Sequence, residues 1–421
     1  MIKFIDLFAG TGGIRLGFEQ AMKELSIPFK CVKSAEIDKF SCETYQQNFK
    51  ENPYCDVTTL NDIEPFDVLL AGFPCQAFSS AGKQLGFNDT RGTLFFDVAR
   101  LVAKYQPKLC LLENVRGLLN HDKGRTFHVI KNTLNELGYN VEYRLLNASN
   151  YGVPQNRLRI YIIATNNIKP IITLNNDVGA VDSHSFKKHI KEKTLFDTYS
   201  HKLVKDILEK NPSSKYNCSP FFVCKLKKAL NGNLNKINGL RLIDSRNGNS
   251  LHSWELGLRG ECSQNEVNFM NLLIANRRKK IFGTHQDGKA LSIDQIKTFY
   301  HENDINIVIK NLIEKKYLKV TDGLYNLVAG NMSFEVFKFL DPYSVSITLT
   351  ASDSNRLGIY HNDRIRRITP RECARLQGYP ENYILNKNDT LAYKQLGNAV
   401  CVPVIKELII NFMINNKNYF H

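Results

Sequence analysis

The chain has 421 residues, 43% of them hydrophobic, with 56 Lys and Arg against 41 Asp and Glu for a formal charge of +15 at pH 7. A chain of this length and apolar content holds two or three domains and excludes wholesale disorder, while no apolar stretch reads as long enough to span a membrane. The basic balance favours a polyanionic partner over a small metabolite, because Lys and Arg that neutralise phosphates drive non-specific affinity.

The first element is a short apolar strand, Phe4-Ile5-Asp6-Leu7-Phe8, running into Ala9-Gly10-Thr11-Gly12-Gly13. A helix with Ile14, Leu16, Phe18 and Ala21 among its apolar positions follows. Strand, glycine turn and helix make a nucleotide-cradling unit, in which glycines let backbone approach a ligand closely. The next apolar stretch ends in an acid, Glu36, able to accept hydrogen bonds from both hydroxyls of a ribose. Asp56 follows at the next strand-like position, in Tyr54-Cys55-Asp56-Val57. The run Phe66–Ala71 reads as a buried parallel strand that delivers Gly72-Phe73-Pro74-Cys75-Gln76 to its carboxyl end, the edge where open α/β sheets bind ligands. Most cysteines are packing residues. Cys75, fixed by Pro74 and followed by small polar residues, is placed to be a nucleophile.

Farther along, Leu109-Cys110-Leu111-Leu112 is an apolar strand that ends at Glu113-Asn114-Val115. Arg157 and Arg159 lie two apart ahead of the strand-like Ile160–Ala164, so on a strand they face the same way. From Ile171 to Ile365 periodicity weakens, and Asn, Ser and Gly are frequent. Within that region, residues 264–330 look like a separate module. Glu266 to Phe282 carries helical spacing and ends in Arg277-Arg278-Lys279-Lys280; Ser292 suits the N-cap of a short helix to His301; Ile305 to Lys316 suggests another. Tyr317 to Leu327 reads as a β-hairpin with an Asp322-Gly323 turn. Helices followed by a hairpin suggest a winged-helix-like unit; a packing insert with a solvated basic face is the plainer alternative. Ten cysteines show no CxxC pair or zinc-like spacing, so no metal site is expected, and with no charged-then-apolar leader the expected setting is a reducing cytoplasm.

In this order the segments resemble the cytosine-C5 DNA methyltransferases. The resemblance rests on Asp6–Gly13, Phe73–Gln76, Glu113–Val115, Gln155-Asn156-Arg157-Leu158-Arg159, Arg371–Pro380 and Gln395–Val400, covering roughly residues 1–165 and 366–410. It implies an α/β fold: a Rossmann-like S-adenosylmethionine-dependent domain over 1–165, a target-recognition region over 166–383 with the winged-helix-like insert at 264–330 and a joining motif at 366–383, and a return segment, 384–421, that completes the catalytic domain. It also implies chemistry. Cytosine C5 is a poor nucleophile, and a Cys75 thiolate adding to C6 makes it a better one. Glu113 matches the acid near N3 and would need a raised pKa. Arg157 and Arg159 would hold the cytosine carbonyl and favour the thiolate, unless one of them is a structural ion-pair partner. For the cofactor, Phe8 would pack on the adenine, Gly10, Gly12 and Gly13 admit the methionine end, and Glu36 hold the ribose. Ile37 and Val57 would flank the adenine and Asp56 accept from its amino group. Pro74 and Leu94 would line the pocket and Asn398 close it; Ile37 stands where relatives often carry an aromatic. The loop Ser79–Asn88 would fold over a cytosine rotated out of duplex DNA. The expected partners are double-stranded DNA, taken up by a monomer, and a cognate restriction endonuclease, in a bacterial cytoplasm with nucleoid association through DNA. Two rivals remain open here, an RNA cytosine methyltransferase of related fold and a non-catalytic DNA-binding regulator; a dehydrogenase leaves Cys75, Glu113 and the arginines without a role.

Overall fold

The computed structural model describes residues 1–74, 94–177, 202–245, 248–283, 290–328 and 334–420. The chain forms two compact units, Met1–Glu209 with Tyr343–Asn355 and Pro370–His421, and Lys210–Pro342 with Arg356–Thr369.

In the first unit the chain alternates strand and helix: β1 (Ile2–Leu7), α1 (Gly13–Glu24), β2 (Phe29–Ala35), α2 (Lys39–Phe49), β3 (Val68–Ala71), α3 (Leu94–Tyr105), β4 (Leu109–Val115), α4 (Arg125–Glu136), β5 (Tyr139–Asn147) and β6 (Leu158–Asn166). They build one six-stranded sheet in the order β2-β1-β3-β4-β6-β5. β1 to β4 run parallel and β6 runs antiparallel to both of its neighbours. Continuous apolar runs suit such a sheet because both faces are covered. Phe4, Leu70, Leu111 and Tyr161 point to one core, and Ile5, Leu7, Leu69, Leu112 and Ile162 to the other. Glu113 and Asp6 share the first face by the strand's two-residue period.

The second unit contains α5 (Pro220–Ala229), β7 (Arg241–Leu242), β8 (Ser250–Leu251), α6 (Gln264–Asn276), α7 (Ile293–Lys297), α8 (Ile305–Glu314), β9 (Leu318–Thr321), β10 (Leu324–Leu327), β11 (Lys338–Leu340), β12 (Leu357–His361) and β13 (Arg364–Arg367). A five-stranded sheet, β13-β12-β11-β7-β8, covers one core, while α6 to β10 enclose a second around Phe269, Leu273, Ile296, Val308, Leu312 and Leu327. Ser292 and Gln295 form a reciprocal cap on α7, which ends at Lys297, short of His301. Asp322 and Gly323 both take positive φ, 51° and 72°, the backbone that a two-residue hairpin needs. α6 stops at Asn276, not Phe282. Arg277 caps it: its guanidinium turns inward and donates to Asn326 Oδ1 at 2.7 Å, so it is buried, and only Arg278, Lys279 and Lys280 of the basic run are exposed.

The chain then re-enters the first unit through α9 (Pro370–Leu376), α10 (Asp389–Asn398) and α11 (Val402–Asn415). Residues 166–177, 202–209, 343–355 and 370–383 group with its six-stranded sheet. One correction concerns Asp389–Asn415, which by length and composition does match a membrane span. It is two helices broken at 399–401, and Val404, Ile405, Leu408, Ile409 and Phe412 of α11 complete the first core. A Cβ on Gly17 would fall 2.6 Å from Ile405 Cβ and 2.8 Å from the Val402 carbonyl oxygen, so α1 and α11 meet backbone to side chain with no room between.

Candidate active site

The glycine turn leaves β1 in an unusual backbone. Phe8, Gly10 and Gly12 all have positive φ, at 53°, 53° and 78°. Gly12 has no alternative, since a Cβ there would stand 2.2 Å from the Phe49 ring. At Gly10 a Cβ would meet nothing within 4 Å, so the turn opens onto free space. A glycine turn with such space above it, at the carboxyl end of β1, fits a nucleotide-like cofactor. The turn is fastened from far along the chain. Thr11 Oγ1 lies 3.0 Å from the Tyr379 hydroxyl, Tyr383 donates to the Thr11 carbonyl, and the two rings pack edge to face at 4.6 Å. Tyr379 belongs to the Arg371–Pro380 motif but carries no role there, Tyr383 lies outside every motif, and no local spacing signals a contact across more than 360 residues.

Glu36 lies beside this turn. Its Oε2 accepts from Gly10 N at 2.7 Å and its Oε1 from Ile37 N and Asp38 N at 2.9 and 2.8 Å. A single parallel bridge joins Glu36 to Tyr54 and brings Asp56 alongside. Asp56 is not in a strand; it caps the short 3-10 turn Val57–Thr59, accepting from Thr58 N and Oγ1 at 2.9 and 2.8 Å. Around these carboxylates Phe8 is half-buried, Val57 buried, and Ile37 64% exposed. Leu94 opens α3, and Asn398 is exposed at the end of α10. One charged neighbour carried no sequence reading of its own: Asp6 is fully buried, and burial pushes its carboxyl well above the usual carboxylate range against the pull of Arg15.

The second cluster sits at the ends of β3 and β4. Glu113 is buried, and loss of water raises its pKa above the ordinary value, with the Arg159 and then the Arg157 charge opposing. Arg159 Nε lies 3.3 Å from Glu113 Oε1. A Cβ on Gly72 would be 3.7 Å from Glu113 Oε2, so the acid faces the backbone that leads out of β3. Asn114 fixes that backbone: its Nδ2 donates to the Phe73 carbonyl at 2.9 Å while its Oδ1 accepts from Val115 N at 2.8 Å. Pro74 is exposed, and Cys75 and the loop Ser79–Asn88 lie outside the described residues. The two arginines differ in what they hold. Arg157 is buried and donates to the Leu349 and Ala399 carbonyls at 2.9 and 2.6 Å, and burial with the Arg159 charge pushes its pKa down to about 10. It ties remote segments together, whereas Arg159 faces the carboxyl. An uncharged carboxylic acid beside a guanidinium can protonate a ring nitrogen while the cation holds an adjoining carbonyl oxygen.

The family model for C-5 cytosine-specific DNA methylases matches residues 2–413. The Type II methyltransferase M.BanI of Aneurinibacillus aneurinilyticus is 57% identical over 99% of this chain and 97% of its own length. M.HgiCI of Herpetosiphon aurantiacus, also a Type II methyltransferase, is 59% identical over 98% and 97%. Among solved structures, a mutant of Spodoptera frugiperda DNMT2 superposes with a TM-score of 0.52 at 18% identity, covering 98% of this chain and all of that one, which is a likeness of fold.

Proposed function

Since the chain belongs to the C-5 cytosine-specific DNA methylases of the bacterial restriction-modification type and is a DNA (cytosine-5-)-methyltransferase, we propose that it methylates C5 of a cytosine rotated out of a specific duplex sequence, through a covalent bond between Cys75 and C6. The observation that carries this is the pairing of buried Glu113, near the end of β4, with Arg159, at the start of β6, next to the backbone that Asn114 pins two residues before Cys75. The Cys75 thiolate adds to C6 as Glu113 delivers a proton to N3, and Arg159 holds the carbonyl oxygen between them. C5 then takes the methyl group and loses its proton to a base, the electrons of that C–H bond expel the thiolate from C6, and N3 returns its proton to Glu113, which restores the ring. Arg157 serves by position, through the two carbonyls it bridges.

S-adenosylmethionine, when bound, supplies the methyl group. The space above Gly10 and the Glu36 carboxylate on the flank of the turn support its seat there, with Gly12 and Gly13 completing the turn, Phe8, Ile37 and Val57 against the adenine, Asp56 at the amino group, and Pro74, Leu94 and Asn398 lining the pocket. The target-recognition role falls to the region within 166–383 that forms the second unit, residues 264–330 being its winged-helix-like insert. The enzyme acts as a monomer on DNA in the bacterial cytoplasm, with a restriction endonuclease directed to the same site.

Duplex DNA carrying 5-fluorocytosine tests this, because fluorine at C5 blocks the final proton loss. The full chain with S-adenosylmethionine should form a complex stable to denaturant, and Cys75→Ser should form none while still binding DNA. Methylation at near wild-type rate by Cys75→Ser would sink the mechanism, and methyl transfer to RNA alone would move the substrate.

A further inference from the structure

The described elements of the insert follow the order of a helix-turn-helix with a wing. Its elements run α6, a one-residue strand at Leu291, α7, α8, then the β9–β10 hairpin, and Leu291 pairs antiparallel with Tyr325 of β10 through both backbone bonds, at 2.9 and 2.8 Å. All close on one core. In helix-turn-helix proteins the second helix of the pair is the one that enters the major groove. Here that helix is α8, ten residues long.

α8 is sharply two-faced. Ile305, Val308, Ile309 and Leu312 are buried in the module, while Asn306, Ile307 and Lys310 are exposed, Ile307 at 64%. An exposed isoleucine between an amide and an ammonium is a poor solvent surface. It matches the chemistry of base edges: an amide can pair with adenine N6 and N7, a lysine with guanine O6 and N7, and an aliphatic group with the thymine methyl. Asn306 and Lys310 stand one helical turn apart, about 6 Å along the axis, which is about two base-pair steps. The same module carries further exposed basic groups, Lys319 on β9 and Arg278, Lys279 and Lys280 beyond α6. Of the nearby acids, Asp304 is occupied within the module by Asn265 Nδ2 at 2.6 Å and the Tyr300 hydroxyl at 3.0 Å, while Glu302 before the helix and Glu314 at its last residue are exposed and mark the ends of the reading face. Arg277, through Asn326, locks the end of α6 to the wing.

We infer that α8 reads duplex DNA bases through Asn306, Ile307 and Lys310, so that the insert contributes to target specificity, with Lys319 and the Arg278–Lys280 run on phosphates. The inference rests on the reading of this chain as a site-specific DNA methyltransferase. Binding selection from a random duplex library tests it with the full chain, independently of methyl transfer. Asn306→Ala/Lys310→Ala should lose at least fivefold of its preference at one or two positions of the selected sequence, with the far-ultraviolet spectrum unchanged. Lys319→Gln/Lys279→Gln should keep the selected sequence, and the log–log salt slope of binding should shrink by about 0.9 for each phosphate left unneutralised. An unaltered selected sequence in the Asn306/Lys310 variant, or no preferred sequence for the parent chain, overturns the inference. The 5-fluorocytosine trap judges the catalytic reading separately, because it does not depend on which sequence is chosen.

Discussion

Asn114→Ala isolates the link between the described site and its nucleophile. The amide of Asn114 donates to the Phe73 carbonyl at 2.9 Å, both residues being buried at 3% and 5% exposure. Removing it leaves that carbonyl without its donor, at a cost of about 1–3 kcal/mol. The second bond removed, Oδ1 to Val115 N, matters less, because Val115 is 41% exposed and its N–H can find water. The chain from Phe73 through Pro74 would then be free to shift, and a displacement of about 1 Å at a reacting atom can cost 100-fold in rate. Single-turnover methyl transfer should therefore slow about 10- to 100-fold with S-adenosylmethionine affinity unchanged, since Asn114 does not touch the glycine turn or Glu36. Urea unfolding should register the smaller stability loss. A variant that transfers methyl groups at the parent rate, or one that loses cofactor binding instead, would refute this role.

Glu36→Ala and Asp56→Ala should each weaken S-adenosylmethionine binding by about 1–3 kcal/mol in calorimetry; Glu36 should be the worse, because it also accepts from Gly10, Ile37 and Asp38, and unchanged affinity in both would misplace the pocket. Arg157→Met should lower the melting temperature and Arg159→Met should lower turnover at unchanged melting temperature, a split that reversal of the two results would overturn. Because Glu113 titrates above its ordinary 4.5, it holds its proton to higher pH when folded. The native state then binds more protons than the unfolded chain, so stability should fall as pH rises from 4.5 through the raised value, and Glu113→Gln should lose that slope. In kinetics, turnover should decline as pH climbs through the same raised value. Arg159→Met removes the leading opposing charge and should move that limb to higher pH, a shift that a pH–rate profile of its residual activity would read.

Local patterns were readable where a single element carries them. The strand before Cys75, the turn and helix after β1, the Ser292 cap and the Asp322-Gly323 hairpin all follow from neighbouring residues, and the structure forms each. What depends on distant partners was not. Arg157 and Arg159 look alike two positions apart, and only the carbonyls of Leu349 and Ala399 set them different tasks. Arg277 belongs to a basic run in sequence, yet the hairpin that buries it comes nearly fifty residues later. Asp56 looked like the end of a strand, but one bridge at Tyr54 is all the pairing there is before the 3-10 turn. Tyr379 and Tyr383 gave no sign of their hold on Thr11.

The dependence of the first core on α11 has a consequence during synthesis. Phe4, Ile14, Phe18 and Met22 are made long before Val404, Ile405, Leu408 and Ile409 that cover them. Until those later residues emerge from the ribosome, the nascent sheet presents an open apolar face, and loop closure of this span is slow and aggregation-exposed. The same delay withholds Tyr379 and Tyr383 from Thr11, so a ribosome-bound or prematurely terminated chain has the glycine turn without its fastening.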